Sequence, residues 1–115
     1  MYSDDQTQLK QIGWKYDNDK GFVIERIKST VNKVPDKLPE FITSLYNAFR
    51  WNSNEKIENL EKWDTKNVTD MSYMFNECEN FAQDISMRNV EKVSKYMSFN
   101  EETHENLKPP KFNTK

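Results

Sequence analysis

The chain has 115 residues, of which 35% are hydrophobic, and a net charge of −2 from 17 basic and 19 acidic residues. This length allows one domain at most. The charges are spread along the chain with no basic patch, which excludes a typical nucleic-acid-binding surface. No run reaches the roughly 18 apolar residues that cross a bilayer. Mean hydropathy is low, at −1.03, but aromatic residues make up 13% of the chain. Because aromatic side chains bury large areas, we expect an ordered centre with polar ends.

The first predicted element is a β-hairpin that follows a loose start. Residues 1–8 are polar and are expected to be disordered. Two strand-like runs, 9–16 and 22–27, flank the segment 17–21. Its Asp, Asn and Gly residues supply the positive-φ positions that a hairpin loop needs. We therefore predict a hairpin over residues 9–28, placed to cap the repeats that follow.

A connector and a repeat region come next. Residues 29–39 are predicted to be an extended connector, because Pro35 and Pro39 disfavour helical conformation in the residues before them. Residues 40–100 form the repeat region, with two to three repeats of about 25 residues. Residues 101–115 are polar and are predicted to be a tail.

The repeat is visible in equivalent apolar residues that are spaced 26 and then 25 positions apart. Two series show it: Ile42, Val68 and Val93, and Leu45, Met71 and Tyr96. The run that begins at Val93 reads like the run from Val68 to Asn76 with one residue deleted, pairing Phe75 with Phe99. A period in the twenties lies in the leucine-rich-repeat range. In such proteins stacked units share a core that no single unit could bury.

Apolar spacing within each repeat predicts one helix and one strand. Short helices are expected over 40–51, 68–75 and 90–99, and parallel strands over 57–60 and 81–85. The predicted fold class is α/β: a short leucine-rich-repeat-like solenoid of strand–helix repeats, capped by an N-terminal β-hairpin. An all-helical hairpin repeat is the alternative, because the segment EKIENLEKW also fits helical spacing and contains good helix formers.

Residues with catalytic or metal-binding chemistry form no recognisable set. Cys78 is the only cysteine and is predicted to be a buried packing residue. His104 is the only histidine and lies in the polar tail with nothing to orient it. The segment 17–22, DNDKGF, lacks the glycine at position 6 of a helix–loop–helix calcium loop. We therefore predict that the chain is not an enzyme and has no metal and no cofactor.

Two strings carry a resemblance to a known family. WDTKNVTDMSYMF at 63–75, followed by FAQDI at 81–85, resembles the repeat of the BspA-like leucine-rich-repeat surface proteins of mycoplasmas. The lead-in VPDKLP at 34–39 resembles that of mycoplasma members. The resemblance implies a repeat solenoid that is displayed on the cell surface as a lipoprotein, with roles in adhesion and host-protein binding. This chain departs from the pattern because it has few repeats and lacks the lipid-attachment cysteine.

The expected function is that of a non-enzymatic protein-interaction module, displayed on the surface and involved in adhesion or host-protein binding. An intracellular protein–protein interaction domain of unknown role is the alternative. The expected partner is a protein, with host and extracellular-matrix proteins as the concrete candidates, and not a nucleic acid. The resemblance implies membrane contact only through an anchor absent from this chain, and hence the cell surface. The cytoplasm is expected if Met1 is the true start.

Large aromatic residues are the candidates for the binding surface. They are Trp14, Trp51, Trp63, Tyr46 and Tyr73. Tryptophan and tyrosine dominate the residues that carry binding energy at protein interfaces, so an exposed tryptophan beside one of these tyrosines would make a binding site. Core packing is the competing explanation for each tryptophan, because large aromatic side chains are usually buried.

Overall fold

The computed structural model describes residues 1–86 and 88–112. Strand β1 spans Trp14–Asp17, strand β2 spans Gly21–Ile24, and one 3-10 turn spans Leu60–Lys62. None of the described residues lies in an α-helix. The described part of the chain accordingly contains no helix that could span a membrane.

The two strands form an antiparallel hairpin closed by an acidic residue and a glycine. The Asp17 carboxylate accepts hydrogen bonds from the backbone N–H groups of Asp19 and Lys20, at 2.8 and 3.1 Å. These bonds stabilise the charged form and lower the pKa of Asp17. Gly21 has φ of 78°, and a Cβ there would lie 2.7 Å from the Thr43 hydroxyl oxygen. Each strand overlaps its predicted run but is shorter than that run, and each includes one residue of the predicted loop, Asp17 in β1 and Gly21 in β2.

The remaining chain winds into coils that are joined by isolated parallel bridges. One corner of the stack is marked by the bridges Gln8–Lys33, Lys33–Glu58 and Asp84–Lys108. We define coil 1 as residues 33–57, coil 2 as residues 58–83 and coil 3 as residues 84–108. A second side is marked by the bridges Val23–Ser44, Ser44–Asp70 and Asp70–Lys95. The hairpin therefore sits on coil 1, and the three coils follow in sequence order.

Each coil contains consecutive β-turns just after the second set of bridges. In coil 1 the turns are 45–48 and 49–52, each closed by a 3.0 Å bond from the fourth N–H to the first carbonyl. Their third residues, Asn47 and Trp51, have φ of 61° and 69°. Coils 2 and 3 repeat this geometry, with positive φ at Tyr73, Glu77, Ser98 and Glu102. The three turn runs stack on one another, and we call residues 44–52, 70–78 and 95–102 the turn ladder.

Backbone hydrogen bonds from alternate turn residues hold the ladder together. From coil 1 to coil 2 they run Leu45–Asp70, Asn47–Ser72, Phe49–Met74 and Trp51–Asn76, at 2.8–3.1 Å. From coil 2 to coil 3 they run Met71–Lys95, Tyr73–Met97, Phe75–Phe99 and Glu77–Glu101, at 2.8–2.9 Å. The acceptor lies 25 residues after its donor in the first set and 24 in the second. The offset between coils 2 and 3 stays at 24 from Met71 to Glu77, so no residue is missing from the third copy within this run. The one-residue deletion predicted there is therefore wrong.

The predicted α/β solenoid of strand–helix repeats is also wrong. The segments 40–51, 68–75 and 90–99 contain turns where helices were expected, which rules out the all-helical alternative as well. The predicted strands at 57–60 and 81–85 contribute single bridges and no continuous strand. The only sheet in the described residues is the two-stranded antiparallel hairpin.

Apolar spacing misled the prediction because consecutive turns imitate a helix. Two adjoining four-residue turns place their first and last residues toward the core, which gives the positions i, i+3, i+4 and i+7. One face of a helix has the same spacing. Coil 1 shows the pattern in four fully buried residues: Leu45, Ala48, Phe49 and Asn52. A helix and a run of turns differ in their left-handed residues and in the bonds between coils. The spacing of apolar residues gives no information about either.

One continuous core runs through all the coils. Its centre is a set of phenylalanine rings that stack between coils 1 and 2 and within coil 2. The Phe49 and Phe75 ring centroids are 5.4 Å apart with planes 4° from parallel, and those of Phe75 and Phe81 are 4.4 Å apart at 9°. Each coil thus shelters the apolar side of the next one.

Both ends of the described chain pack against this stack. Tyr2 forms an antiparallel bridge with Leu9, inside the start that was expected to be loose. In the predicted tail, Leu107 is buried in the core. The Phe112 ring stacks on Tyr96 at 4.3 Å between centroids. These contacts cover the outer side of the first and last layers.

Candidate protein-binding surfaces

A cluster of four aromatic rings lies on the outside of the hairpin, and we call Trp14, Tyr16, Phe22 and Phe41 the hairpin patch. Trp14, Tyr16 and Phe41 are 48%, 60% and 45% exposed. The rings of Trp14 and Phe41 meet edge to face at 5.1 Å, and those of Tyr16 and Phe22 at 5.2 Å. Edge-to-face contacts of this kind hold aromatic rings in a defined arrangement.

The hairpin register explains why these rings share one face. Tyr16 pairs directly with Phe22, and side chains two residues apart on a strand point to the same side. Trp14 therefore lies beside Tyr16, while Val23 points to the opposite face and is buried. Phe41, from coil 1, contacts both Trp14 and Phe22.

An open groove of about 350 Å³ continues from the patch along the connector. Its apolar walls come from Trp14, Phe41, Pro35 and Pro39, and its lysines are Lys10 and Lys37. The surface therefore combines apolar residues with two positive charges in the groove. Interfaces between proteins likewise combine apolar and polar residues.

A second surface lies on the outer side of the turn ladder. We call it the turn face and define it by residues from the three coils and two from the hairpin: Tyr46, Arg50, Trp51, Tyr73, Glu77, Met97, Glu101 and Glu102, with Lys20 and Arg26. Three predicted candidates, Tyr46, Trp51 and Tyr73, belong to it. The rings of Tyr46 and Tyr73 meet edge to face at 5.8 Å, and Trp51 is 46% exposed.

Cations lie over the aromatic rings of the turn face. The Lys20 ammonium is 3.7 Å from the centre of the Tyr46 ring. The Arg50 guanidinium lies 4.5 Å from the Trp51 ring and 5.3 Å from the Tyr73 ring, and that of Arg26 lies 5.3 Å from Trp51. A ring attracts a cation through its negative face. The cations of this surface are therefore held in place without a carboxylate partner.

The structure thus brings three of the predicted candidates together and separates the other two. Trp14 belongs to the hairpin patch and has no contact with the turn-face rings. Trp63 is buried, at 3% exposure. Its indole N–H donates to the Pro35 carbonyl at 2.8 Å, so Trp63 stabilises the core and is not available to a ligand.

A family model described as "Mycoplasma protein of unknown function, DUF285" matches residues 43–115, which is more than half of the chain. The chain belongs to the DUF285 family. No curated protein and no solved structure matches it. The family match supports the resemblance to mycoplasma proteins, while the closer likeness to BspA-like leucine-rich-repeat proteins stays a prediction.

The two surfaces of this DUF285 chain differ in their relation to the family match. The ladder residues of the turn face lie inside the matched range 43–115. All four residues of the hairpin patch lie before it. The hairpin patch therefore belongs to the part of the chain that the family model does not describe.

The two residues with reactive side chains that the sequence singled out occupy structural positions in this DUF285 chain. Burial raises the pKa of the Cys78 thiol to about 11, and the thiol donates to the Phe49 carbonyl at 2.9 Å. His104 accepts a hydrogen bond from the Asn106 N–H at 3.0 Å through Nδ1. Among residues 1–86 and 88–112, no group of three or more His, Cys, Asp or Glu side chains could hold a metal ion.

Sequence reasoning missed several residues of both surfaces. Tyr16 and Phe22 were placed in the hairpin strands but not among the candidates, although the alternation of Trp14 and Tyr16 along a predicted strand puts both on one face. The cations Lys20, Arg26 and Arg50 gave no comparable signal. Lys20 and Arg26 are distant in sequence from the rings they cover, and only the packing of the hairpin on coil 1 brings them there. Arg50 precedes Trp51 in sequence, but its contact with Tyr73 depends on the stacking of coils.

Proposed function

We propose that this DUF285 chain is a non-enzymatic protein-binding domain whose contact surface is the hairpin patch. The observation that supports this proposal is the cluster of four aromatic rings in contact, of which three are about half exposed. Exposed apolar patches on soluble domains mark interaction sites. Aromatic anchors beside an open groove are the arrangement that concentrates binding energy at protein interfaces.

The setting of this binding is the cell surface, with a host or extracellular-matrix protein as the ligand. The resemblance of residues 63–85 to BspA-like surface proteins supports this setting. The alternative is an intracellular interaction domain. The complete reading frame discriminates between them, because an apolar leader that ends in a cysteine would indicate a lipid-anchored protein.

The binding test compares substitutions of two tryptophans with almost the same exposure. The domain is passed over immobilised extracellular-matrix and serum proteins, and its affinity is measured by surface plasmon resonance. We expect Trp14→Ala with Phe41→Ala to weaken binding by about 30-fold or more, the cost of removing one central hot spot. Trp51→Ala is the matched control, because Trp51 is 46% exposed and lies outside the patch.

Two outcomes would contradict the proposal. Binding that survives the double substitution at the hairpin patch but is lost in Trp51→Ala would place the ligand on the turn face. Absence of binding by the unaltered domain to every matrix and serum protein would contradict the adhesive setting. Far-UV circular dichroism of each variant controls for loss of the fold.

A further inference from the structure

Two columns of side chains on the turn face carry opposite charges at their two ends. Equivalent turn positions follow one another down the ladder at offsets of 26 and then 25 residues, each one more than the offset of the backbone bonds. One column is Arg50, Asn76 and Glu101, and the next is Trp51, Glu77 and Glu102. Arg26 and Arg50 cover Trp51 at the coil 1 end, so each column changes from positive to negative between coil 1 and coil 3.

Side-chain contacts show that the first column is continuous. Arg50 Nε donates to Asn76 Oδ1 at 3.0 Å, and Asn76 Nδ2 donates to Glu101 Oε1 at 3.3 Å. Asn76 thus holds the arginine on one side and the carboxylate on the other. Arg50 and Glu101 each lie one coil away from Asn76, on opposite sides of it, and do not form an ion pair with each other.

None of the charges of the turn face is neutralised within the described residues. The ion pairs found there are Lys33–Glu58 and Lys66–Asp64, and neither belongs to this face. The face therefore presents the cations Lys20, Arg26 and Arg50, with Lys95 beside Met97 in coil 3. Its carboxylates are Glu77, Glu101 and Glu102.

We propose that the turn faces of two copies of this chain pair face to face about a two-fold axis. The axis lies between the two faces, at right angles to the direction of stacking, and follows the coil 2 segment 70–78. Such an axis keeps the columns aligned and reverses the order of the coils. Arg50 of one copy then lies opposite Glu101 of the other, and the cations over Trp51 lie opposite Glu102. A two-fold interface is self-complementary, so each such contact occurs twice.

Other features of the face agree with this pairing. An axis along the stack, at right angles to the first, would set cations on cations, and like charges across an interface are unfavourable. Trp51 and Met97 are exposed on the face, and aromatic and methionine residues are enriched at protein interfaces. The axis brings Glu77 of one copy near Glu77 of the other. Each of these carboxylates follows Trp51 in its column, and the guanidinium groups of Arg26 and Arg50 cover that ring.

This inference goes beyond the proposed function because it uses a different surface. Its test is sedimentation equilibrium of the whole chain, which we expect to approach twice the 13.8 kDa mass of one copy as concentration rises. Two charge-reversed variants are needed. One is Arg26→Glu with Arg50→Glu, and the other is Glu101→Lys with Glu102→Lys.

Each charge-reversed variant alone is expected to associate at least about tenfold more weakly, because like charges then face each other across the axis. An equimolar mixture of the two is expected to associate again, since each acidic end now meets a basic end. Glu61→Lys with Lys62→Glu, in the 3-10 turn, is the matched control and should dimerise like the unaltered chain. So should the hairpin-patch variant, which separates this test from that of the proposed function.

Three results would overturn the pairing. The first is an unaltered chain that stays monomeric up to about 1 mM, the range of the weakest specific associations. The second is a dimer that neither charge reversal weakens. The third is a mixture of the two variants that fails to associate although both retain the circular dichroism spectrum of the unaltered chain.

Discussion

The fold depends on individual residues that are held in left-handed backbone conformation. Two series of such residues recur at equivalent turn positions: Asn47, Tyr73 and Ser98, and Trp51, Glu77 and Glu102, with φ between 51° and 69°. Asparagine is common in this region, but tryptophan, tyrosine and glutamate are not. The left-handed conformation costs a residue with a Cβ about 1–2 kcal/mol. Hydrogen bonds between coils offset that cost at four of these residues, because the N–H groups of Asn47, Trp51, Tyr73 and Glu77 donate to the next coil.

This strain predicts a stabilising substitution. Glu77→Asn should raise the free energy of unfolding by about 1 kcal/mol, because asparagine tolerates the left-handed region. Glu79→Asn is the matched control, since Glu79 is a nearby exposed glutamate without positive φ. Urea unfolding of both variants measures the difference. Equal effects of the two substitutions would show that the gain comes from the loss of a charge.

The main element of the fold is the turn ladder, and its geometry explains how much of it could be predicted from the sequence. The repeat period and the apolar series that begin at Leu45 and Ile42 could be read from the sequence, because stacking requires equivalent residues to be apolar. The local conformation could not. Helix and consecutive turns bury the same positions, and no glycine marks the left-handed sites. The candidates Trp51, Tyr46 and Tyr73 were found because large aromatic residues are conspicuous, whereas the cations over them were not.

The stacked rings inside the ladder carry the largest expected loss of stability. Phe75 contacts Phe49, Phe81 and Phe99, so Phe75→Ala should lower the free energy of unfolding by about 3–5 kcal/mol, the range for buried phenylalanine. Phe41→Ala removes a ring of the same size that is half exposed and should cost much less. Urea unfolding compares the two. Similar losses would mean that the ring stack is not the centre of the core.

The whole molecule is a stack with covers at both ends. The hairpin covers coil 1 on one side, and residues 109–112 cover coil 3 on the other, through the stacking of Phe112 on Tyr96. A repeat stack needs such covers because its terminal layers would otherwise expose their apolar sides. The sequence predicted the first cover as a hairpin but described the second as a polar tail. Its few apolar residues are too scattered to form a recognisable pattern.

The second cover can be tested through its aromatic contact. Phe112→Ala should lower the free energy of unfolding by about 1–2 kcal/mol, because the ring is partly buried and touches two aromatic neighbours. Lys111→Ala, at an exposed adjacent position, is the matched control and should have little effect. Thermal unfolding followed by circular dichroism measures both. No loss in the Phe112 variant would mean that the segment contributes nothing to stability.

The constant hydrogen-bond offset between adjoining turns has a consequence for how such a chain can lengthen. In coil 2 the carbonyl groups of alternate residues accept bonds from coil 1, and the N–H groups of the residues between them donate to coil 3. A duplicated copy of its segment would therefore meet matching groups above and below. Genes that encode this architecture can gain or lose one full winding at a time, whereas a single-codon insertion inside the turns would shift every later residue out of step.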